Sequence, residues 1–449
     1  MKPKVGLITL SLPKNISPLN PKTVNIINNI SKKAKEIMEN NYLDVEKIEE
    51  AVENREKALK SIDFLINKDI DCIIFQIGAW PSPSIAIDAI DRLNKRIPII
   101  IWGYDDLDAL SLSPASQFHG AFDDMGVEHE FLYANPTDEE FIRKIKIIAG
   151  AGYAVNKLNG MNLGLFGGRY MNMYTGTADP LMVKKIFGVE IIHINEFCLV
   201  NEAKKIEEEK VEAFSEYMHK NYGNITAPPD IINRSIRLYF AMNNLKDKYN
   251  LDFASVKCMT EVMGEYCSHC LSVSKHIDEG FIISCEGDIN AAITMQLLYL
   301  LSNSAVGFGD FYELTKDNVL RIANCGAFAT GFASSYKEVD FPEQYQLVPG
   351  GCTGMTTSYI CKPGEVTIAR LGRIKGEYVM QISSGNAIKK SKKELTGLVK
   401  LPHIFIQLKR DRDAFVQNIR SNHLHFIYGH YEEELKYICK ILKIKEIVC

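Results

Sequence analysis

The stretch FIISCEGDINAAITMQLLYLLSNSAVGFGDF, residues 281–311, decides the fold of this chain. It opens with an apolar strand over 281–285 that ends at Glu286. A helix follows over 289–303, introduced by Asp288, and a short strand over 305–309 ends at Asp310. Strand, helix and strand in that order predict a parallel pair. Both acids would then sit at carboxyl ends on one sheet edge, where open α/β sheets bind ligands. Adjacent strands lie ~4.8 Å apart, so two carboxylates there can share one cation. The flanking apolar runs make these acids costly unless a metal or hydrogen-bond donors pair with them. The plainer reading is that both acids cap helix starts, where negative charge suits the helix dipole. Asp288 fits that capping role better, because it directly precedes the helix.

The same alternation runs outward from this stretch. VGLITLSL at 5–12, DCIIFQI at 71–77 and IPIIIW at 97–102 read as apolar strands, with a helix at 85–95. Apolar residues among charges from Asp44 to Asn67 recur at helical spacing. A second unit begins with the strand MNLGLFGG at 161–168. A helix at 181–187, a strand at 189–194 and long helical stretches at 199–221 and 230–248 follow, with a strand at 253–258. From about 340 to 429 the character changes to Gly-rich turns and alternating runs, VTIARLG, EYVMQIS, HIFIQLK and HLHFIYG. That pattern predicts a β-rich barrel or sandwich, closed by a helix at 432–442. The expectation is two Rossmann-like parallel-sheet α/β domains plus a β-rich C-terminal domain, divided at 1–155, 156–312 and 313–449.

Composition bounds the partners. The 449 residues are 46% hydrophobic and 24% charged, an ordinary globular balance. The net charge of -4 supplies no basic excess for nucleic acid or an acidic membrane surface. No apolar run reaches ~18 residues, and the N-terminus starts like a first strand rather than a signal peptide. Eleven cysteines without an export signal read as reduced thiols in a cytoplasmic protein.

The second informative segment is SNHLHFIYGH, residues 421–430. Side chains alternate along a strand, so His423 and His425 share a face. A neutral imidazole is a common partner for carboxylates on Mn²⁺ or a similar ion, although a single histidine is more often structural. EYCSHC at 265–270 holds a CxxC pair, Cys267 and Cys270. No second pair follows at zinc-ribbon spacing, so free buried thiols are the expectation. GLFGGR at 164–169 is not a dinucleotide fingerprint and reads as a tight turn or a close approach to a ligand, with Arg169 as a substrate contact. Arg370 reads as an ion-pair partner, and Glu261 and Glu265 as solvated acids. Trp80, between Gly78-Ala79 and Pro81, is a large aromatic in a loop whose flat ring suits a sugar face or a subunit contact.

Together these segments resemble the L-fucose isomerase family. CEGDINAAITM is similar to the family's acid-x-Asp stretch after a core strand, GFGDF to its second acid after a helix, and NHLHFIYGH to its C-terminal Asn-His. The resemblance implies that Glu286, Asp310 and His423 bind a divalent metal, usually Mn²⁺, with Mg²⁺ or Co²⁺ as substitutes. It also implies that Glu286 and Asp310 exchange protons with a sugar through an ene-diol. IGAWPSP resembles the segment whose aromatic, here Trp80, packs on the sugar of a neighbouring subunit, so a trimer or hexamer is expected. Asn422 and Arg169 are the further substrate-binding candidates. The chain departs from the family around GGCTGMTT, 350–357, where a sugar-touching Tyr is lacking. The implied activity is metal-dependent aldose–ketose isomerisation of a free sugar, L-fucose, D-arabinose or a modified hexose. The competing reading is a non-catalytic sugar-binding or regulatory protein on the same fold.

Overall fold

The computed structural model describes residues 2–13, 19–94, 96–259, 261–344, 353–397 and 400–449. Residues 350–352 of the departing GGCTGMTT segment lie outside these. The chain divides into two compact units, 1–156 with 433–442, and 157–432 with 443–449.

The first unit is built on five parallel strands: β1 (Lys4–Leu10), β2 (Asp44–Lys47), β3 (Cys72–Ile77), β4 (Ile99–Gly103) and β5 (Glu130–Tyr133), in the order β2-β1-β3-β4-β5. Alternate residues of each strand feed two separate cores. Val5, Leu7, Cys72 and Ile74 pack with Ile27, Met38 and Phe141 on one face, and Ile8, Leu10, Ile73 and Phe75 with Ile62, Leu65 and Phe118 on the other. Burial on both faces explains why CIIFQI is apolar throughout. The segment Asp44–Lys47 corrects the helical reading of 44–67. It is an edge strand paired with β1, and the helix starts only at Arg55, after Asn54 accepts a hydrogen bond from the Lys57 N–H. A helix over Pro21–Asn40 has no counterpart in the sequence reading, because only Ile27, Ser31, Ala34 and Met38 of its twenty residues are buried. The terminal segment Glu433–Leu442 belongs to this unit, with Tyr437 against its core.

The second unit holds two sheets. The parallel one contains β6 (Asn162–Phe166), β7 (Glu190–Ile194), β8 (Phe253–Val256) and β9 (Ile283–Cys285), in the order β7-β6-β8-β9. The antiparallel one contains β10 (Gly307–Leu314), β11 (Val319–Ala323), β12 (Gly364–Ile374), β13 (Glu377–Ala387), β14 (His403–Leu408) and β15 (His423–Tyr428). Its order β12-β15-β10-β11-β14-β13 closes through β12–β13 pairing into a six-stranded barrel, and β16 (Lys445–Val448) adds in parallel to β13. The parallel α/β sheets and the C-terminal barrel are the predicted fold class. Among the described residues no helix is long and apolar enough to cross a membrane.

One element moves between sheets. The sequence reading puts Asp310 on a parallel strand beside that of Glu286. Instead β10 runs antiparallel to β11 and β15 in the barrel. Its glycines explain the switch. A Cβ at Gly307 would lie 2.1 Å from the Phe426 ring, and one at Gly309 would lie 2.7 Å from the Ala323 carbonyl oxygen. Only glycine lets β10 sit this close to its neighbours. The helix Ile289–Ser302 bridges the two sheets, touching β8 and β9 on one side and β12 and β15 on the other. It is buried almost all round, which accounts for its weak periodicity.

Candidate metal and catalytic site

The chain leaves β9 through Glu286 and Gly287, both in the left-handed region at φ 66° and 64°. Glycine adopts this freely. A Cβ at Gly287 would also lie 2.1 Å from the Gly168 carbonyl oxygen, so the loop after β6 packs directly on this turn. For Glu286 the conformation costs on the order of 1–2 kcal/mol. Left-handed non-glycine residues cluster at functional sites, so this conformation adds to the interest of an acid at the end of a core strand.

The capping role falls to Asp288, which accepts from the Ala291 N–H at 2.8 Å. Asp288 does more than cap. Its Oδ2 accepts from His423 Nδ1 at 2.7 Å, and the Arg370 guanidinium lies 2.9 Å away, with all three side chains buried. Burial opposes charge on Asp288, but Arg370 and His423 outweigh it and hold the carboxyl well below its usual range. Arg370 is the expected ion-pair partner, and it also donates to Nε2 of His425 at 3.2 Å. Burial and the Arg370 charge together push the His425 pKa well down, so that ring is neutral and structural.

His423 is the opposite case. A permanently ionised Asp288 accepts hydrogen bonds only, so Nδ1 of His423 carries a proton and Nε2 is the free position. Nε2 lies 3.2 Å from Glu286 Oε2 and 3.8 Å from Asp310 Oδ1, yet it is buried without a properly aligned hydrogen bond. Asp310 faces His423 directly across the β10–β15 ladder. Ligand atoms of Glu286, Asp310 and His423 all lie within 4.8 Å of one another. Two carboxylates and an imidazole around one point, with the ring oriented by a further carboxylate, could hold a divalent metal. Burial disfavours the charged His423 ring, but Asp288 and Glu286 more than compensate and raise its pKa to about 9. Burial likewise raises the Asp310 pKa, against the pull of His423 and with the push of Glu286.

The remaining candidates fall in different places. Asn422 donates to Asp310 Oδ1 at 2.8 Å, which places it beside the acid cluster. Arg169 lies in the loop packed on the Glu286 turn, with its guanidinium 4.7 Å over the Tyr174 ring. Trp80 belongs to the first unit, 44% exposed, with Ala79 and Trp80 both at positive φ. Exposed Leu107 and Leu110 flank Ala109, whose carbonyl accepts from the Ala79 N–H. No disulfide joins the described cysteines. His269 within EYCSHC is buried, its pKa pushed down to about 4 by burial, and it joins no metal-binding group among the described residues.

Glu196 escaped the sequence reading. It follows β7 and is 7% exposed, with Oε1 lacking a hydrogen-bond partner. Its carboxylate rests against Gly167, where a Cβ would lie 2.1 Å from Oε1. Burial pushes its pKa up to about 7, with Lys257 opposing and Glu261 adding. With Phe197, Lys257, Glu261 and Glu265 it lines a cavity of about 500 Å³. This cavity lies at the carboxyl ends of β6, β7 and β8, where the strand order reverses. No local pattern marks a lone Glu in a turn as buried.

The architecture is that of an α/β protein with a C-terminal β-barrel and a largely buried acid–histidine cluster. A family model for the L-fucose isomerase C-terminal domain matches residues 322–448. A sulfoquinovose isomerase from Alkalicoccus urumqiensis is 22% identical over 327 residues, covering 71% of this chain and 72% of that one. Another from Priestia aryabhattai is 20% identical over 369 residues, covering 79% and 80%. An ABC transporter solute-binding protein from Burkholderia multivorans aligns with 13% identity and a TM-score of 0.19, covering 68% of this chain and 95% of that one, an overlap that carries no argument. Residues 322–448 are thus similar to the L-fucose isomerase C-terminal domain, and over most of its length the chain is similar to sugar isomerases, which indicates an enzyme of that kind.

Proposed function

We propose that this chain is a divalent-metal-dependent aldose–ketose isomerase whose centre is Glu286, Asp310 and His423. The observation that carries the reading is the buried, unpaired Nε2 of His423, faced by two carboxylates and oriented from behind by Asp288. An oxygen-rich donor set with one imidazole suits Mn²⁺, with Mg²⁺ or Co²⁺ as substitutes. When bound, the cation supplies positive charge for the two vicinal oxygens between which the carbonyl moves. One of Glu286 and Asp310 would take a proton from C2 and the other would give a proton to C1, with an ene-diol between the two transfers. Asn422 holds Asp310 in place, and the strained Glu286 backbone fixes the second acid.

The substrate we favour is a modified hexose. The relatives named as sulfoquinovose isomerases point to a sulfonated sugar, and Arg169, exposed beside the Glu286 turn, is a cation suited to such a group. L-Fucose and D-arabinose are the neutral alternatives. Trp80 would serve the site of a neighbouring subunit in a trimer or hexamer. The described cysteines, mostly buried and joined by no disulfide, fit a reducing cytoplasm. The test is a panel of sulfoquinovose, L-fucose and D-arabinose, each incubated with the Mn²⁺-loaded chain and assayed for ketose. Ketose from at least one, with sulfoquinovose fastest, is expected. Sugar binding without ketose from any of them would overturn the catalytic reading.

A further inference from the structure

The first unit carries a second cluster of metal-ligand groups, distinct from the isomerase centre. His119 and Asp123 lie one turn apart on the helix Leu112–Asp124, and His129 follows just before β5. Nδ1 of His119 is 2.7 Å from Nε2 of His129. The Asp123 carboxylate oxygens lie 3.7 Å from the first nitrogen and 4.0 Å from the second. This is one of two such groups among the described residues.

The rings are held for the purpose. The His129 side chain is only 2% exposed, and its Nδ1 is 2.7 Å from the Val127 carbonyl oxygen. A carbonyl only accepts, so that nitrogen carries a proton, and Nε2 is the nitrogen that faces His119. Such a carbonyl contact commonly orients a metal-bound histidine. His119 stacks on Phe131 at 5.1 Å with planes 9° apart, and the Phe122 ring packs edge-on against His129. Around a tetrahedral zinc, ligand atoms at ~2.1 Å from the ion are ~3.4 Å from one another. The three spacings here each differ from that by less than about 1 Å. Filling the site needs a lone pair on each facing nitrogen, so the proton between them must leave or pass to Nε2 of His119. Asp123 and His119 are partly exposed, which leaves the fourth position to water.

We propose that His119, Asp123 and His129 form a Zn²⁺ site that ties the end of the helix Leu112–Asp124 to the segment entering β5. Two imidazoles and one carboxylate favour a borderline ion such as Zn²⁺ over Mn²⁺, the reverse of the isomerase centre. The test is calorimetric titration of Zn²⁺ into the full chain, beside Asp123→Ala and His119→Ala, both with side chains exposed enough to leave the fold intact. Wild type should take up one more tight equivalent than either variant, whose affinity there falls at least about tenfold. The difference should persist in a His423→Ala background, which separates this site from the isomerase centre. A crystal soaked in Zn²⁺ should show anomalous density between the three side chains. Equal stoichiometry in wild type and both variants, or no density there, overturns the proposal.

Discussion

The two histidine–carboxylate clusters use the same residue types to opposite ends. In the second unit, Glu286 and His423 are buried, two acids face one imidazole, and the ring is oriented by ionised Asp288. In the first unit, two imidazoles face one exposed acid, and the ring is oriented by a neutral carbonyl. A carboxylate behind the ring raises its basicity and draws a hard cation; a carbonyl only fixes its direction. Burial also separates them. Buried acids store electrostatic energy that substrate and metal can release, whereas an exposed acid is already stabilised by water. On the two proposals made above, the difference separates a reaction centre from a structural tie.

The contrast can be broken most severely at Glu286. Glu286→Gln removes a proton-transfer group and a metal ligand together. Turnover should fall by at least about a thousandfold while circular dichroism stays native. Asp288→Asn should be the next largest. It leaves all three metal-facing groups in place, yet metal affinity measured by titration should fall about 10–100-fold. A loss of that size would establish the orienting carboxylate as the feature that sets the two clusters apart.

Proton competition gives a further test. The His423 pKa is raised to about 9, so below that pH a cation must displace the Nε2 proton. At limiting Mn²⁺, apparent metal affinity should fall about tenfold for each pH unit below 9. At saturating Mn²⁺ the slope should flatten.

Glu196 sharpens the role of burial alone, because it has neither a metal partner nor an orienting group. Its folded-state pKa of about 7 lies above the unfolded value. The neutral acid therefore favours folding at low pH, and that stability is lost as pH rises from the unfolded pKa through about 7. Glu196→Gln should gain about 1–3 kcal/mol in denaturant unfolding at pH 8, most of it gone at pH 5. The smallest effect belongs to the exposed acid. Asp123→Ala without added zinc should change stability by no more than about 0.5 kcal/mol.

Much of this was legible in the sequence, for physical reasons. Strands buried on both faces are apolar throughout, so CIIFQI and IPIIIW declare a parallel sheet. Glu286 is readable because an acid that ends such a strand stands far from water, and Asp310 because it follows the apolar run AVGFG, although it lies within β10 rather than at a strand end. The sheet holding Asp310 is not readable. GFGDF has no side-chain pattern to distinguish its two possible neighbours, and only the contact distances at Gly307 and Gly309 show which it takes. The second duty of Asp288 is hidden because a helix cap looks the same whatever else it binds. The His119 and Asp123 pairing becomes visible only once the helix Leu112–Asp124 is recognised, and its moderate amphipathicity conceals it.

The most direct test of the central claim is ketose formation from an active aldose, followed through EDTA treatment and Mn²⁺ re-addition. Activity should vanish on chelation, return with Mn²⁺, and fail to return in His423→Ala. Undiminished turnover after complete chelation, or full Mn²⁺ rescue of His423→Ala, would contradict the account.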